Sequence, residues 1–432
     1  MQKKNCDHLA VSDHIMMDVT YDFKRPSYVE TSERDLSTSK MEPYTFMRGC
    51  PVCGKTDLGT PVSYYKHFQF FTDSVESPKR CDVIDVVCDS CLALYKNPCF
   101  SEKGLSVLLA EAGRSYGASE GRESEQVEWL QSSGLLLGCD VFLDIGCYDG
   151  RFLSLLPESI NRIGVDLDLP AIQRGNARDR SIQLIQSSFE RFSLPARADV
   201  ITLFHVLEHL TDPNAVLKRI HQESSAHAKL VVEVPILERG CTNDVNGFFS
   251  VAHLTHFSRS SLHSILSTSG WEVEKKIDVP DYNGYRIIAV KSLPQRHSSL
   301  SHNRDEVYLQ ENLRSIEFAR TKVRKKLEVI RDDDKVIIWG AGLHTEILFH
   351  TTQLFKSGRR VFLLIDSDPM KHGKTWRGIP ILPPDSALHL VSNTDWLVVS
   401  SYQGQSAITN AARKLGFFDQ KVIRLYDVVN VR

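Results

Sequence analysis

The 432-residue chain contains no apolar run approaching bilayer-spanning length, which takes about 20 consecutive residues. Its opening stretch, MQKKNCDHLAVSDHIMMD, is too polar for a secretory leader. Charge of one sign is also missing. Lysine and arginine number 52 against 54 aspartate and glutamate, a net charge of -2. Without a basic field, nucleic acid is excluded as the main partner. These absences predict a globular protein of the cytoplasm with no membrane span, and the length leaves room for several domains.

Cysteine is not scarce. Ten are present, and four of them form two CxxC pairs, Cys50/Cys53 and Cys88/Cys91, with 34 residues between the pairs. In a reducing compartment such pairs indicate metal binding or redox chemistry, not a disulfide framework. Four thiolates complete a tetrahedral zinc shell with no position left for water, so the expected site is structural. Cys81, Cys99 and Cys147 are not needed for it.

Residues 1–45 are polar and expected to be flexible. A zinc-binding module is expected over 46–125, with a helical-looking stretch SEKGLSVLLAEAGRSYG inside it. From 126 to 292 short apolar runs (VFLDIG, RIGVD, IQLIQ, DVITLF, KLVVEVP, WEVEKKI, YRIIAVKS) alternate with helical stretches. That alternation predicts an α/β fold with a mostly parallel sheet. The last two runs are close enough for a terminal antiparallel hairpin. Residues 293–332 read as a linker and an amphipathic helix, with Leu309, Leu313, Ile316, Val323, Leu327 and Ile330 on one face. This helix would pack between domains or against another copy in a homo-oligomer. A second α/β unit is expected over 333–432, from KVIIWGAGLHTE, VFLLID, WLVVSS and KVIRLYD.

In VFLDIGCYDGRFLSLL a strand runs into a turn carrying Asp144, Gly146, Tyr148 and Gly150, then a helix. Such a turn lets a ligand approach the backbone. Asp166 lies 22 residues beyond Asp144, at the end of the next run, where a carboxylate can accept from a ribose diol. Ser188 and Phe189 follow the third run, where an adenine edge would lie. Phe204 and His205 end the fourth, and Glu208 and His209 follow at the pocket's edge, as ready to pack and cap as to act.

The set D-I-G-C-Y-D-G, G-V-D and H-V-L-E-H-L-T-D-P resembles the class I S-adenosylmethionine-dependent methyltransferases. That family often has glycine where Tyr148 stands and an acid where Ser188 stands. The Tyr148 side chain must therefore tilt away from the cofactor. The whole order, CxxC module, methyltransferase sheet, helix and second α/β unit, looks like the zinc-containing nucleotide-sugar C-methyltransferases. The resemblance implies a class I methyltransferase Rossmann-like sheet, an N-terminal zinc-binding module and a second C-terminal Rossmann-like domain. It implies S-adenosylmethionine and zinc as cofactors and a nucleotide sugar as the small-molecule substrate. In the last domain Gly340, Gly342 and His344 sit at a strand–helix turn and Asp366 ends the next run, similar to domains that hold sugar nucleotides.

FFSVAHLTHFS, residues 248–258, follows the fifth run. The C-methyltransferases carry a Tyr-His-Glu-His run there. Only its last histidine matches, at His253; Ser250, Val251 and Ala252 replace the rest. His253 is the candidate general base and His256 a second candidate. Whether carbon or oxygen is methylated stays open. The alternative functions are a non-catalytic module binding cofactor or sugar nucleotide, and methylation of another small molecule.

Overall fold

The computed structural model describes residues 44–70, 79–101, 103–105, 121–189, 192–193, 197–279, 283–295, 302–355 and 361–427. The flexible segment expected over 1–45 and the helix expected in SEKGLSVLLAEAGRSYG fall largely outside these residues. Residues from Glu42 onward form one compact unit.

The central element is a seven-stranded sheet. Its strands in chain order are Val141–Ile145, Asn161–Asp166, Gln183–Gln186, Val200–Phe204, Lys229–Pro235, Trp271–Asp278 and Gly284–Lys291. In space they run third, second, first, fourth, fifth, seventh, sixth. The first five are parallel, and the seventh runs antiparallel to both of its neighbours. The expected terminal hairpin is therefore present, with its second strand inserted against Lys229–Pro235. Successive strand residues face opposite sides, and both sides are covered. Leu143, Ile201, Leu203 and Val232 enter one core; Phe142, Val200 and Val231 enter the other. This explains runs that are apolar throughout instead of alternating.

Two covering helices start on local signals. In Leu169–Arg178 and Pro213–Glu223, the preceding Asp168 and Asp212 each accept an N–H three residues on, at 2.9 Å. These are aspartate N-caps followed by a proline in the first turn.

The cysteine-bearing region builds a second sheet from Thr60–Phe70, Lys79–Val87 and Leu94–Lys96. Its fourth strand comes from far along the chain. Thr255–His256, in the segment after the fifth central strand, pairs antiparallel with Leu94–Tyr95.

A third sheet, of six strands, is built from Val336–Trp339, Val361–Ile365, Thr375–Trp376, Ile379–Leu382, Trp396–Val399 and Val422–Arg424. Five are parallel and Thr375–Trp376 is an antiparallel edge. Four of the six match the expected runs. Ile379–Leu382 was hidden in a segment dense in glycine and proline.

Between the sheets runs His302–Leu327, a helix of 26 residues, about 39 Å long at the usual rise. Its first half sets Leu309 and Ile316 against Phe248, Phe249, Val87 and Leu94. Its second half sets Val323 and Leu327 into the third sheet's core beside Val336 and Ile338. The predicted apolar face is thus filled from both ends within one chain. Gly247 approaches so closely that an added Cβ would lie 2.2 Å from Ile316, so this contact has no slack. Ile316→Ala should cost about 2–4 kcal/mol, read as a lower denaturation midpoint in urea.

Candidate active site and metal-ligating cysteines

The turn after the first central strand is tight for packing reasons. Gly146 has φ +82°, and a Cβ there would lie 2.2 Å from Val206. Gly150 has φ +73°, with Leu184 at 2.9 Å from the same hypothetical atom. Tyr148 stands between them with φ +51°, a left-handed conformation that costs a residue with a Cβ. This is the physical reason glycine suits the position. Its side chain turns to the helix behind, where its hydroxyl accepts from Arg174 Nη2 at 3.0 Å and the guanidinium stacks 5.5 Å from the ring centre.

Asp166 is held by its own backbone surroundings. Oδ2 accepts the Tyr148 N–H and Oδ1 the Asp168 N–H, both at 2.8 Å. Burial pushes its pKa upward. Each carboxylate oxygen keeps further acceptor capacity for a diol. Asp144 is buried, and Thr202 Oγ1 donates to its Oδ1 at 2.6 Å. Burial raises Asp144 to about 7, with Thr202 opposing and Asp166 adding to the rise. Ser188 and Phe189 lie just past the third strand, where the Phe189 carbonyl accepts from Arg219. Phe204 meets Phe152 edge-on at 5.4 Å. The residues of the loop, Asp166, Phe204 and His205 thus gather at the carboxyl ends of the parallel strands, where the strand order reverses.

At the end of the fourth strand His205 adopts φ +57°, and its N–H bonds the Glu233 carbonyl at 2.8 Å. Nε2 lies 3.0 Å from Glu233 Oε1 and Nδ1 lies 3.3 Å from Glu208 Oε1. Burial alone would push the imidazole down, but the two carboxylates outweigh it and raise it to about 9. Glu233 is shared with the buried Arg286, which also forks to Glu125 at 3.0 and 2.6 Å. Arg286 stacks between Trp129 and Phe204. Sequence reasoning missed Glu125, Glu233 and Arg286. The available signal was a lone Glu and a lone Arg inside the apolar runs KLVVEVP and YRIIAV.

His253 and His256 lie close together, ring centres 5.9 Å apart, in different roles. His256 is in the shared strand, and its Nε2 meets Asp85 Oδ1 at 2.9 Å; Lys96 Nζ reaches the same oxygen at 2.7 Å. All three side chains are buried, so the structure places His256 in a buried ionic joint of the cysteine-bearing sheet. His253 is only partly buried, and its Nδ1 has no hydrogen-bond partner. Burial, then the neighbouring His209 and His256, push its pKa well below the ordinary value, so it is a neutral imidazole.

Cys50, Cys53, Cys88 and Cys91 converge with all four sulfurs within 4.8 Å of one another. Cross-pair Sγ distances of 3.6 Å join Cys50 to Cys91 and Cys53 to Cys88. Each CxxC sits in its own turn: Gly54 N–H bonds the Cys50 carbonyl at 3.0 Å, and Leu92 N–H the Cys88 carbonyl at 2.9 Å. The spread and the soft donor set fit one tetrahedral zinc ion.

The third sheet carries a loop of related form. Gly340 has φ +119° and would set a Cβ 2.4 Å from the Ser400 carbonyl. Asp366 Oδ2 accepts the Ala341 N–H at 2.7 Å and Oδ1 the Asp368 N–H at 2.9 Å. A crevice of about 420 Å³ opens there, lined by Asp244, Gly342, His344, Asp366, Ser400 and Tyr402 among others.

Residues 122–276 match the family model described as a methyltransferase domain. None of the curated proteins matches this chain. Among solved structures, an S-adenosylmethionine-dependent methyltransferase from Mesorhizobium loti is 15% identical, with 39% of this chain and 100% of that one covered, at TM-score 0.33. One from Clostridium acetobutylicum is 12% identical, covering 39% and 90%, at TM-score 0.33. S-Adenosylmethionine-bound CalS10, an amino pentose methyltransferase from Micromonospora echinaspora, is 16% identical, covering 41% and 93%, at TM-score 0.34. The domain match covers the five parallel strands, most of Trp271–Asp278 and the Gly146–Gly150 loop, and ends before Gly284–Lys291. The match identifies an enzyme that carries a methyltransferase domain over residues 122–276.

Asp144 gives this site a pH signature. Between pH 3.8 and about 7 the folded state keeps a proton that the unfolded chain has lost. Stability therefore declines as pH rises through that window. Comparing wild type with Asp144→Asn by urea denaturation should show wild type losing ground from pH 4 to 7 and no further change above. A constant difference across the window would assign the proton elsewhere.

Proposed function

We propose that this methyltransferase acts on a sugar carried by a nucleotide, and that the four cysteines hold a structural zinc ion. The observation that carries the sugar-nucleotide reading is the repeated carboxylate geometry. Asp366 accepts two backbone N–H groups as Asp166 does, one from the preceding strand–helix turn and one two residues ahead. One such loop serves the methyl donor, which leaves the second for a different ribose-bearing molecule. Its crevice sets hydroxyls, amides and carboxylates beside the apolar Trp339, Leu343, Ile347 and Ile408, a mixed lining suited to a ligand with both a ring face and hydroxyls.

The residues that would hold the cofactor are the Gly146–Gly150 turn, Asp144, Asp166, Ser188, Phe189, Phe204 and His205. Bound S-adenosylmethionine supplies a methyl carbon already activated by the positive sulfur. What remains for the protein is alignment and proton removal. Asp166 fixes the ribose, while the strained Tyr148 directs its ring away toward Arg174. His205, locked between Glu208 and Glu233, sets the floor of the reacting end. His253 acts on the acceptor, either as the base that takes its proton or as a ligand to an ion that makes that proton more acidic.

Native mass spectrometry of the full chain, with S-adenosylmethionine and a panel of nucleotide sugars, tests this reading. One zinc, one cofactor and a retained nucleotide sugar are expected. Asp366→Asn should weaken nucleotide-sugar retention at least tenfold and leave the cofactor bound. Cys91→Ser should release the zinc. Cofactor binding with no nucleotide sugar retained by wild type would overturn the acceptor assignment.

A further inference from the structure

A second group of metal-ligating side chains lies beside His205. Glu208, His209 and His253 each offer a ligand atom, and these atoms all lie within 4.8 Å of one another. Two imidazoles and a carboxylate are a donor set for divalent first-row metals, leaving coordination positions open for water or substrate.

The protonation pattern is already the one a metal requires. His209 Nδ1 lies 2.8 Å from the Ala252 carbonyl. A carbonyl only accepts, so the proton is on Nδ1 and Nε2 presents a lone pair. This is the usual orientation of a metal-bound histidine, whose other nitrogen donates to a backbone carbonyl. His253 Nδ1 is buried with no hydrogen-bond partner. Its ring stands nearly perpendicular to that of His209, with centres 5.0 Å apart.

Glu208 is the decisive member. It is 1% exposed, and neither carboxylate oxygen has a hydrogen bond. Its one charged neighbour among the ion pairs is His205, 3.3 Å from Oε1. His205 faces Oε1 alone, so Oε2 is a buried carboxylate oxygen with no donor, which is costly. Pairing with His205 accounts for one oxygen of Glu208 and leaves the other to a further ligand. The backbone holds the three together. Glu208 and His209 lie in the single turn Leu207–His209, and the Leu254 N–H, next to His253, bonds the Glu208 carbonyl at 2.7 Å.

We propose that Glu208, His209 and His253 bind a divalent first-row cation, distinct from the ion of the four cysteines, that takes the acceptor's hydroxyl oxygen as a ligand. The role in catalysis rests on the methyltransferase reading; the ion site itself does not. On coordination the hydroxyl becomes more acidic and gives its proton to solvent. The oxygen then forms a bond to the methyl carbon as the methyl–sulfur bond breaks. The electron pair stays on sulfur, which becomes a neutral thioether. The reaction assigned is therefore methylation at oxygen.

The test is metal counting on the full chain. Zinc-loaded protein is equilibrated with micromolar Co²⁺, freed of unbound metal and analysed by elemental mass spectrometry. S-Adenosylmethionine affinity is measured calorimetrically on the same samples. Wild type should retain one zinc and one cobalt. Glu208→Gln, which is isosteric and keeps an oxygen facing His205, should bind Co²⁺ at least tenfold more weakly while keeping its zinc. His253→Asn should do the same. Cobalt binding unchanged in both variants, or no cobalt retained by wild type, overturns the ion site. If S-adenosylmethionine still binds in that case, the methyltransferase reading stands and His253 acts on the acceptor directly. Loss of S-adenosylmethionine binding with cobalt retained would overturn that reading and keep the ion site.

Discussion

Asp85 is 1% exposed and has two partners on one oxygen, Lys96 Nζ at 2.7 Å and His256 Nε2 at 2.9 Å. Burial alone would raise its pKa, but Lys96 and His256 outweigh it and hold the carboxyl below its ordinary value. The three residues come from three strands, Lys79–Val87, Leu94–Lys96 and Thr255–His256. Asp85 and Lys96 are register partners, so the ion pair reinforces a backbone pairing that already exists. His256 is different. Its strand has only two residues, far too little ladder to specify register by itself. His256 adds a second buried partner to the Asp85 oxygen that Lys96 already holds, a contact that supplements this short ladder. The rest of the site depends on that contact. The docked segment carries His253 three residues earlier, and its Leu254 carbonyl accepts from Lys96 N–H at 2.9 Å and from Arg48 at 2.6 Å. The cysteine-bearing sheet therefore anchors the segment that presents His253.

A second ionic chain approaches from the other side. Glu125, Arg286, Glu233, His205 and Glu208 alternate in sign along contacts from a helix, through two adjacent strands, to the turn after the fourth strand. Glu233 and Arg286 are directly opposed in register, and cross-strand pairs of opposite charge stabilise a sheet. Here they also fix the left-handed backbone at His205. Such strain persists only where the surroundings over-determine it. Tyr148, on the facing loop, is strained in the same sense and tied to Arg174. The loop and the turn after the fourth strand thus each carry one strained residue, held by its own partners.

Much of this was legible from local pattern. The CxxC pairs, the strand runs, the glycine turn and Asp166 all follow from spacing within a few residues. The outward turn of Tyr148 follows from asking what a side chain does at a glycine position. What escaped is non-local. Thr255–His256 has no strand signal, because pairing with Leu94–Tyr95 creates it. His253 ranked above His256 in sequence through the resemblance alone, and tertiary contact is what gives the two different surroundings. Glu208 read as equally ready to pack, cap or act, since nothing in HVLEHL says that its carboxylate would be buried with His205 as its one charged neighbour. Glu125, some 160 residues from Arg286, could be found only through the fold.

The two carboxylate loops make the same point about reuse of one solution. In each, a glycine N–H bonds the residue before the aspartate at 2.8 Å, Gly146 to Val165 and Gly340 to Ile365. In each, that aspartate gathers one N–H from the turn and one from two residues ahead. The backbone geometry of a right-handed strand–turn–helix unit favours this arrangement wherever a carboxylate follows the second strand. The loops then diverge by one residue. Tyr148 takes a left-handed conformation and fills the space behind with an aromatic ring, whereas Gly342 adopts extended backbone and a Cβ there would meet nothing within 4 Å. The first loop is closed by that ring. The second is open at the start of its helix, beside a crevice lined by both polar and apolar side chains. A turn filled by a side chain and a turn left open admit ligands of different bulk at that point.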